Sequence, residues 1–300
     1  LPCYTLGPVL ISLCERTPMG RPGRRTLSGA IVLGLVSIAA AYFPTIRWLL
    51  QSWVGDAYYR VGLLVPPVSL FLAWRLQRGR PVEGPARGWP LWVGLLVVTL
   101  ALMAHALALH RGAYLISSVT LIFVLAGILL ALAGPSVLRR QAFPLAFLLL
   151  AVPWPLLQAC SPTLTQWVAE AAAALGRGMR IPVTASGANL HLPDSALDVT
   201  SPCTGIGSLM TFFAIAVLYA FLAQGPLPGK LALVLLAVPT AMVASIVRVG
   251  ALVAISHYVG VDLAVRYYRL WSTALLLLVG LIFFGLVARA LRCDEIRSDI

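Results

Sequence analysis

Long apolar runs divide this chain, and their length and spacing restrict what it can fold into. Runs near 28–46, 61–74, 89–109, 113–133, 142–159, 204–223, 231–257 and 270–288 succeed one another with short polar or basic breaks. A helix needs about 17–25 apolar residues to cross a bilayer, and most of these runs reach that length. Only 11% of the 300 residues are charged, against 60% hydrophobic, whereas soluble domains carry about 25% charge. A water-soluble fold is excluded, and no stretch reads as a detachable soluble domain. The expectation is an all-α membrane protein, a polytopic bundle of about eight transmembrane helices. The run 61–74 is short and borrows Trp53 to Arg60 as an interfacial lead-in.

An even number of spans leaves both termini on one side. That side receives fourteen of the 22 basic residues, Arg25, Arg78, Arg139, Arg140, Lys230 and Arg292 among them. The other side receives eight: Arg47, Arg60, Arg111, Arg177, Arg180, Arg248, Arg266 and Arg269. The excess makes the termini cytoplasmic, in an inner (plasma) membrane. The net charge of +12 therefore encodes topology, and no nucleic-acid partner is expected. Residues 1–27 are Pro/Gly/Arg-rich and read as a basic cytoplasmic segment outside the fold, with Met19 as a candidate start and 1–18 as an upstream extension. A cleaved signal peptide fits less well, because the first apolar run is of full membrane length and has no clear small-residue cleavage site. The transmembrane domain is expected over 28–290, with 291–300 as a cytoplasmic tail.

One outer loop, 160–203, is much longer than the rest, and long loops in compact proteins are usually functional. Leu164, Trp167, Val168, Ala171, Ala172, Leu175 and Met179 recur at helical spacing. This predicts an amphipathic helix over 162–180 lying on the periplasmic membrane surface. Ile181 to Thr184, Asn189 to Leu192 and Leu197 to Thr200 read as short strands, broken at Ser186-Gly187 and Pro193-Asp194. The loop leads directly into Cys203.

The cysteines are Cys3, Cys14, Cys160, Cys203 and Cys293. An odd count without a CxxC pair argues against a zinc site or a disulfide scaffold, and neither metal nor cofactor is expected. Cys160 and Cys203 both fall outside, where they can pair. Cys203 opens an apolar span in Ser201-Pro202-Cys203-Thr204-Gly205. From spacing alone, a small residue packed at a helix start is the simpler role. Against it, a helix N-terminus favours a thiolate, and the backbone N–H groups near Gly205 suit an oxyanion. Arg248 is flanked by apolar residues in Ser245-Ile246-Val247-Arg248-Val249-Gly250. Snorkelling to the interface, or pairing with Asp198 or Asp262, accounts for it structurally. An intramembrane arginine is equally a functional candidate; its guanidinium can stabilise a thiolate or an oxyanion but cannot act as a base.

These residues resemble the exosortase/archaeosortase family of transmembrane peptidases over most of 45–290. Trp53-Val54-Gly55-Asp56-Ala57-Tyr58-Tyr59-Arg60 through Pro66, and on to Trp74-Arg75, is similar to the family's "YSHGFLVP…WR" segment. Phe143-Pro144 through Val152-Pro153-Trp154-Pro155 resembles its fifth-span "FPL…P.P" stretch. Ile181-Pro182-Val183, Gly187-Ala188-Asn189 and Leu197-Asp198-Val199 resemble the run before the nucleophile. Ser201 to Leu209 is similar to the "(A)CSGIxSL" nucleophile motif, and Pro239 to Val249 to "P.A…N..RI". The shared order of several motifs makes the resemblance specific where no single motif is.

The resemblance implies a membrane cysteine peptidase or transpeptidase acting on exported proteins. Their C-terminal sorting signals combine a short motif (Pro-Glu-Pro in many bacterial substrates), a transmembrane helix and a basic tail. It implies Cys203 as nucleophile, a thioester intermediate at the periplasmic face, and Arg248 as the thiolate or oxyanion partner. Water or an acceptor nucleophile, such as a glycan or lipid group, would resolve the thioester. The family's third member, usually a histidine at the start of the last span, corresponds to Arg269 in Tyr267-Tyr268-Arg269-Leu270-Trp271; archaeal relatives resemble this in using arginine. Two arginines leave the thiol proton without an acceptor. His257 is the nearest alternative base and His191 a weaker one, while an interfacial histidine ending a helix is the simpler role for His257. Arg60 stands where the family has the "SHG" histidine, and Ser245 replaces its asparagine. These departures keep open a catalytically silent member that binds substrate or an assembly partner. A transporter or lipid-linked glycan enzyme has less support, because the spans lack paired carboxylates, an inverted repeat and an acidic metal motif.

Overall fold

A computed structural model describes residues 34, 36–56, 58–79, 88–155, 159, 161–187, 189–192, 195–198, 205–260, 263–264, 266 and 271–290. The chain forms two compact units, Leu1–Pro44 and Thr45–Ile300. The described part of the first is helical, with the Tyr42 N–H donating to Ile38 O at 2.9 Å. Of the expected run 28–46, residues 34 and 36–46 are described and helical apart from a turn at Tyr42; the segments 1–27 and 291–300 lie outside the described residues.

The elements are α1 (Phe43–Gly55), a 3-10 turn (Arg60–Leu63), α2 (Val65–Gln77), α3 (Trp89–His110) and α4 (Tyr114–Phe147), which a second 3-10 turn (Leu148–Ala151) extends. There follow α5 (Ser161–Gly178), strands β1 (Thr184–Ser186), β2 (Asn189–Leu192) and β3 (Ser195–Asp198), then α6 (Gly205–Leu222), α7 (Leu227–Tyr258) and α8 (Ser272–Ala290). Three helical stretches among the described residues are long and apolar enough to cross a membrane: Trp89–His110, Tyr114–Ala151 and Leu227–Tyr258. Leu209–Leu222 and Leu278–Arg289 are shorter apolar helices. The fold is thus an all-α membrane protein with a very small sheet, and eight crossings are not shown among the described residues. With 13 residues, α2 is about 20 Å long against a hydrocarbon core of about 30 Å. On α3, Trp92, Leu96, Leu100 and Met103 are all more than half exposed, as a lipid-facing stripe is.

The expected fifth run is also altered. Rather than a loop around Arg139 and Arg140, α4 breaks only at Gly134 (φ 82°, ψ 176°) and restarts at Pro135. Glycine tolerates that left-handed backbone, and proline suits a first helical turn because it has no N–H to leave unpaired. Both arginines therefore lie in the restarted helix. Side-chain bonds orient the restarted helix. Ser69 Oγ donates to Pro144 O at 2.7 Å and Gln141 Nε2 to Ala73 O at 3.0 Å, so 135–151 runs antiparallel to α2.

Helices in lipid are held by close packing and internal hydrogen bonds, because tails are as apolar as leucine. The α3–α4 contact depends on glycine. A Cβ on Gly94 would lie 2.7 Å from Ala131 N and 2.8 Å from Gly127 O, so the two backbones touch. Trp53 joins the α1 end to the 148–151 turn, its Nε1–H donating to Ala151 O at 2.8 Å in a buried setting. Phe143 stacks on Phe221 at 3.7 Å between centroids, tying the restarted part of α4 to α6. At the interior of α1, α3 and α4, Ser117 Oγ shares hydrogen bonds with Thr45 Oγ1 (2.6 Å) and His105 Nδ1 (2.7 Å). All three residues are buried.

The 160–203 loop folds much as expected. The strands form an antiparallel meander, β1-β2-β3, with Thr184 opposite His191 and Leu192 opposite Ser195. β2 coincides with the expected Asn189 to Leu192, β1 and β3 are shifted by a few residues from their expected runs, and Gly187 turns the first hairpin at φ 62°. The amphipathic helix is present as α5 (Ser161–Gly178), within two residues of the expected 162–180. Thr165, Val168, Ala169, Ala172 and Ala173 are buried, whereas Trp167 is 55% and Leu175 44% exposed. The small residues pack with Ile181, Val183 and Leu190 against Val249, Leu252 and Val253 of α7. Thus α5 seats its small-residue face on α7 and leaves Trp167 and Leu175 on its outward side.

Candidate active site

Of the residues singled out, Cys203 and Arg269 lie outside the described residues, as does Cys160. So do the side chains of Asp198 and Asp262, the expected structural partners of Arg248. Arg248 itself is on α7 and only 7% exposed.

The level of Arg248 follows from the α6–α7 hairpin. A four-residue connection makes the two helices antiparallel. Ala216 and Ala223 cluster with Leu233 and Ala237, and Phe212 with Ala241 and Ala244 beside Leu209. Each step toward the N-terminus of α6 is thus matched by a step toward the C-terminus of α7. Ala241, Ala244 and Arg248 recur at three and four residues, hence on one face of α7. One turn beyond Ala244, Arg248 is level with the first turn of α6, which starts at Gly205. That turn carries backbone N–H groups without intrahelical partners and the positive end of the helix dipole. A buried guanidinium and a helix N-terminus at one level form an electropositive point suited to a thiolate or an oxyanion.

Ser245, one turn below Arg248, is 1% exposed, and its Oγ has no hydrogen-bond partner among the described residues. Buried polar atoms are normally paired, so this hydroxyl marks a polar demand beside the arginine. The α5–sheet layer covers the neighbouring residues Val249, Leu252 and Val253. Its seating is tight: a Cβ on Gly250 would approach Leu175 Cδ2 to 2.6 Å, and one on Gly176 would approach Val183 Cγ1 to 2.7 Å.

Helix geometry separates His257 from Arg248. His257 is nine residues further along α7, about 14 Å along the axis and half a revolution around it. It is exposed and packs edge-on against Tyr258, 5.0 Å between centroids. His191 is exposed on β2, and Arg60 is exposed at the start of its 3-10 turn.

A second feature has no counterpart in the sequence reading. A cavity of about 360 Å³ opens among Trp48, Ser52, Asp56, Tyr59, Tyr114 and Pro153. Trp48, Ser52 and Asp56 are spaced by four, a helical-face signal that was present in the sequence. Burial raises the Tyr59 phenol above its ordinary pKa, and the negative charge of Asp56 adds to the shift.

Comparison with known proteins bears on the whole described core. No curated protein and no solved structure matches the chain. The family model described as transmembrane exosortase matches residues 53–291, which takes in α2 to α8, Arg248 and the stretch around Cys203. The chain belongs to the transmembrane exosortase family.

Proposed function

We propose that this membrane protein is a cysteine peptidase or transpeptidase cleaving C-terminal sorting signals of exported proteins at the outer face of the inner membrane. The observation that carries the reading is Arg248, a buried cation level with the N-terminus of α6. In sequence, Cys203 stands two residues before that helix. In this reading Cys203 is the nucleophile, Arg248 stabilises its thiolate and the oxyanion, and Arg269 is the third member.

The thiolate sulfur attacks the scissile carbonyl carbon, and the tetrahedral oxyanion collapses with loss of the amine. The amine takes up the proton released by the thiol, leaving a thioester. Water or an acceptor hydroxyl or amine then attacks the thioester and regenerates the thiol. Neither arginine can carry the proton. The geometry of His257 favours transfer through water over a direct histidine base. A substrate helix with its basic tail inside would present its motif at the level of Arg248.

The test is processing of a co-expressed reporter that ends in motif, helix and basic tail. Cys203→Ala is expected to abolish processing, and Arg248→Lys to slow it by roughly 10²-fold, as loss of an oxyanion donor does. Unchanged processing in Cys203→Ala would leave the chain as a binding member of the family. Labelling of Cys203 by a membrane-impermeant thiol reagent only from the cytoplasmic side would refute the topology.

A further inference from the structure

We propose that the C-terminal turn of α5 holds the phosphate of an anionic phospholipid headgroup, with Arg180 and Arg177 as the groups that grip it. The turn has a fixed geometry. The Ile181 N–H donates to Gly176 O and the Arg180 N–H to Arg177 O, both at 3.0 Å. These two bonds are the Schellman pattern, in which the residue at the Arg180 position is left-handed and usually glycine. Arg180 has φ 62° and is the one non-glycine residue with positive φ among the described residues. A side chain there costs stability that glycine would not lose. A cation does gain from the negative end of a helix dipole, but Arg177 in the last turn already supplies that. Buried Ile181 pins the turn from within, and Arg180 is exposed. The strained position therefore points to a use for the Arg180 side chain itself.

Three contacts set its depth. A Cβ on Gly250 would meet Leu175 and one on Gly176 would meet Val253. The Tyr258 hydroxyl donates to Met179 O at 3.4 Å. These pairs advance together along both helices, so α5 runs parallel to α7 and Arg180 sits beside the last turn of α7. With 32 residues, α7 is about 48 Å long, whereas a bilayer with its headgroup layers is about 40–45 Å thick. Centred on the bilayer, α7 ends at the headgroup level, and Arg180 is there with it.

The surroundings select the ligand. Leu175, Met179, Tyr258 and Val259 are large apolar side chains left exposed, a flank suited to acyl chains with a tyrosine at the interface. Arg177 is exposed as well. Its Nη1 donates to Val183 O at 3.4 Å, which fixes its direction and uses one of the five N–H donors of a guanidinium. Guanidinium groups match phosphate oxygens bidentately, and two of them favour a headgroup of net negative charge. Glu170, two turns before Arg177 on α5, accepts from Gln166 Nε2 at 3.0 Å. An acidic peptide would meet the charge but would leave the apolar flank uncovered, so a lipid fits better. The site is made by α5 and the end of α7 alone and does not rest on the thiol chemistry proposed above.

The experiment follows lipid binding to the full chain in detergent micelles by native mass spectrometry, with phosphatidylglycerol and phosphatidylcholine compared. Phosphatidylglycerol is expected to bind at least about tenfold more tightly, from two basic residues at a charged headgroup. Arg180→Ala and Arg180→Gly should each lower that ratio about fivefold, the contribution of one basic residue. The pair separates binding from folding. Alanine keeps the left-handed strain and glycine relieves it, so Arg180→Gly should resist unfolding by SDS better than Arg180→Ala while the two bind alike. Arg177 is left in place because its bond to Val183 also holds the turn. Equal binding of the two lipids, an undiminished ratio in either variant, or ratios that follow SDS resistance would each overturn the proposal. So would competition by soluble sn-glycerol 3-phosphate or by hexaglutamate at the lipid's own concentration, since the occupant would then be a free anion or an acidic peptide.

Discussion

Replacing Trp53 by phenylalanine tests whether one buried hydrogen bond holds the C-terminal end of α1 to the turn after α4. Trp53 is 8% exposed, and its Nε1–H donates to Ala151 O at 2.8 Å. Phenylalanine keeps an aromatic ring but has no donor, so a carbonyl at a buried residue loses its partner. Leaving such a group unsatisfied costs about 1–3 kcal/mol. The smaller ring also leaves a void of a few tens of Å³, and at about 24 cal/mol per Å³ that adds ~1 kcal/mol. Gly62 lies hard against the indole, so its backbone cannot easily move in to refill the space. The expected loss is about 2–4 kcal/mol, summing these terms. Trp154 supplies the internal control. Its Nε1–H donates to Leu149 O at 3.2 Å, but in an exposed setting, where other partners can substitute, so Trp154→Phe should cost under about 1 kcal/mol. The measurement is unfolding of the full chain by SDS in mixed micelles, followed by far-UV circular dichroism. Equal losses for the two variants would refute the reasoning, because burial would then not govern the cost of the missing bond.

Gly94→Ala should destabilise the α3–α4 pair by about 2 kcal/mol or more, since its Cβ meets backbone atoms of Ala131 and Gly127. Gly285→Ala, with nothing within 4 Å of the added atom, should be neutral or gain up to about 1 kcal/mol from helix propensity, and the same SDS titration compares them. Ser117→Ala removes the link between Thr45 and His105 and should cost about 1–3 kcal/mol, while Thr99→Ala on the exposed side of α3 should fall within about 0.5 kcal/mol of the parent. The raised pKa of Tyr59, caused first by burial and then by Asp56, favours its neutral form in the folded state. Its stabilising contribution is full below the unfolded tyrosine value of about 10 and declines as pH rises from there through the higher folded value. Ultraviolet titration should show the Tyr59 phenolate forming above the ordinary tyrosine value of about 10, and Asp56→Asn should lower it. A Tyr59 titration unmoved by that change would contradict the coupling.

The class of fold was legible in the apolar runs, because a chain so poor in charge has no soluble solution. The strands in 184–198 were legible to within a few residues, since Gly187 and the alternation around Leu190 carry local turn and strand signals. The restart of α4 was less so: Gly134-Pro135 was visible as a pair, but Arg139-Arg140 pointed to a loop. A helix tolerates two arginines that begin immediately after a kink. The face of α5 that meets α7 was not legible, for a more general reason. Hydropathy ranks Trp167 and Leu175 above Ala169 and Ala173, yet the alanines pack on α7.

In water, hydrophobicity tells a helix which face to bury; in lipid it does not, because the solvent is as apolar as the core. Residue order alone was therefore sufficient for membrane character, family membership and the identity of candidate residues such as Cys203, Arg248, Arg269 and His257. Choosing which faces meet was a matter of size and shape across elements far apart in the chain. That choice sets Arg248 level with the N-terminus of α6 and brings Tyr59 and Tyr114 to the face of Trp48 and Asp56 around one cavity. Helical spacing already separates His257 from Arg248 and aligns Trp48 with Asp56, but the contacts between elements have no local signal, since they depend on how closely small residues let the backbones approach.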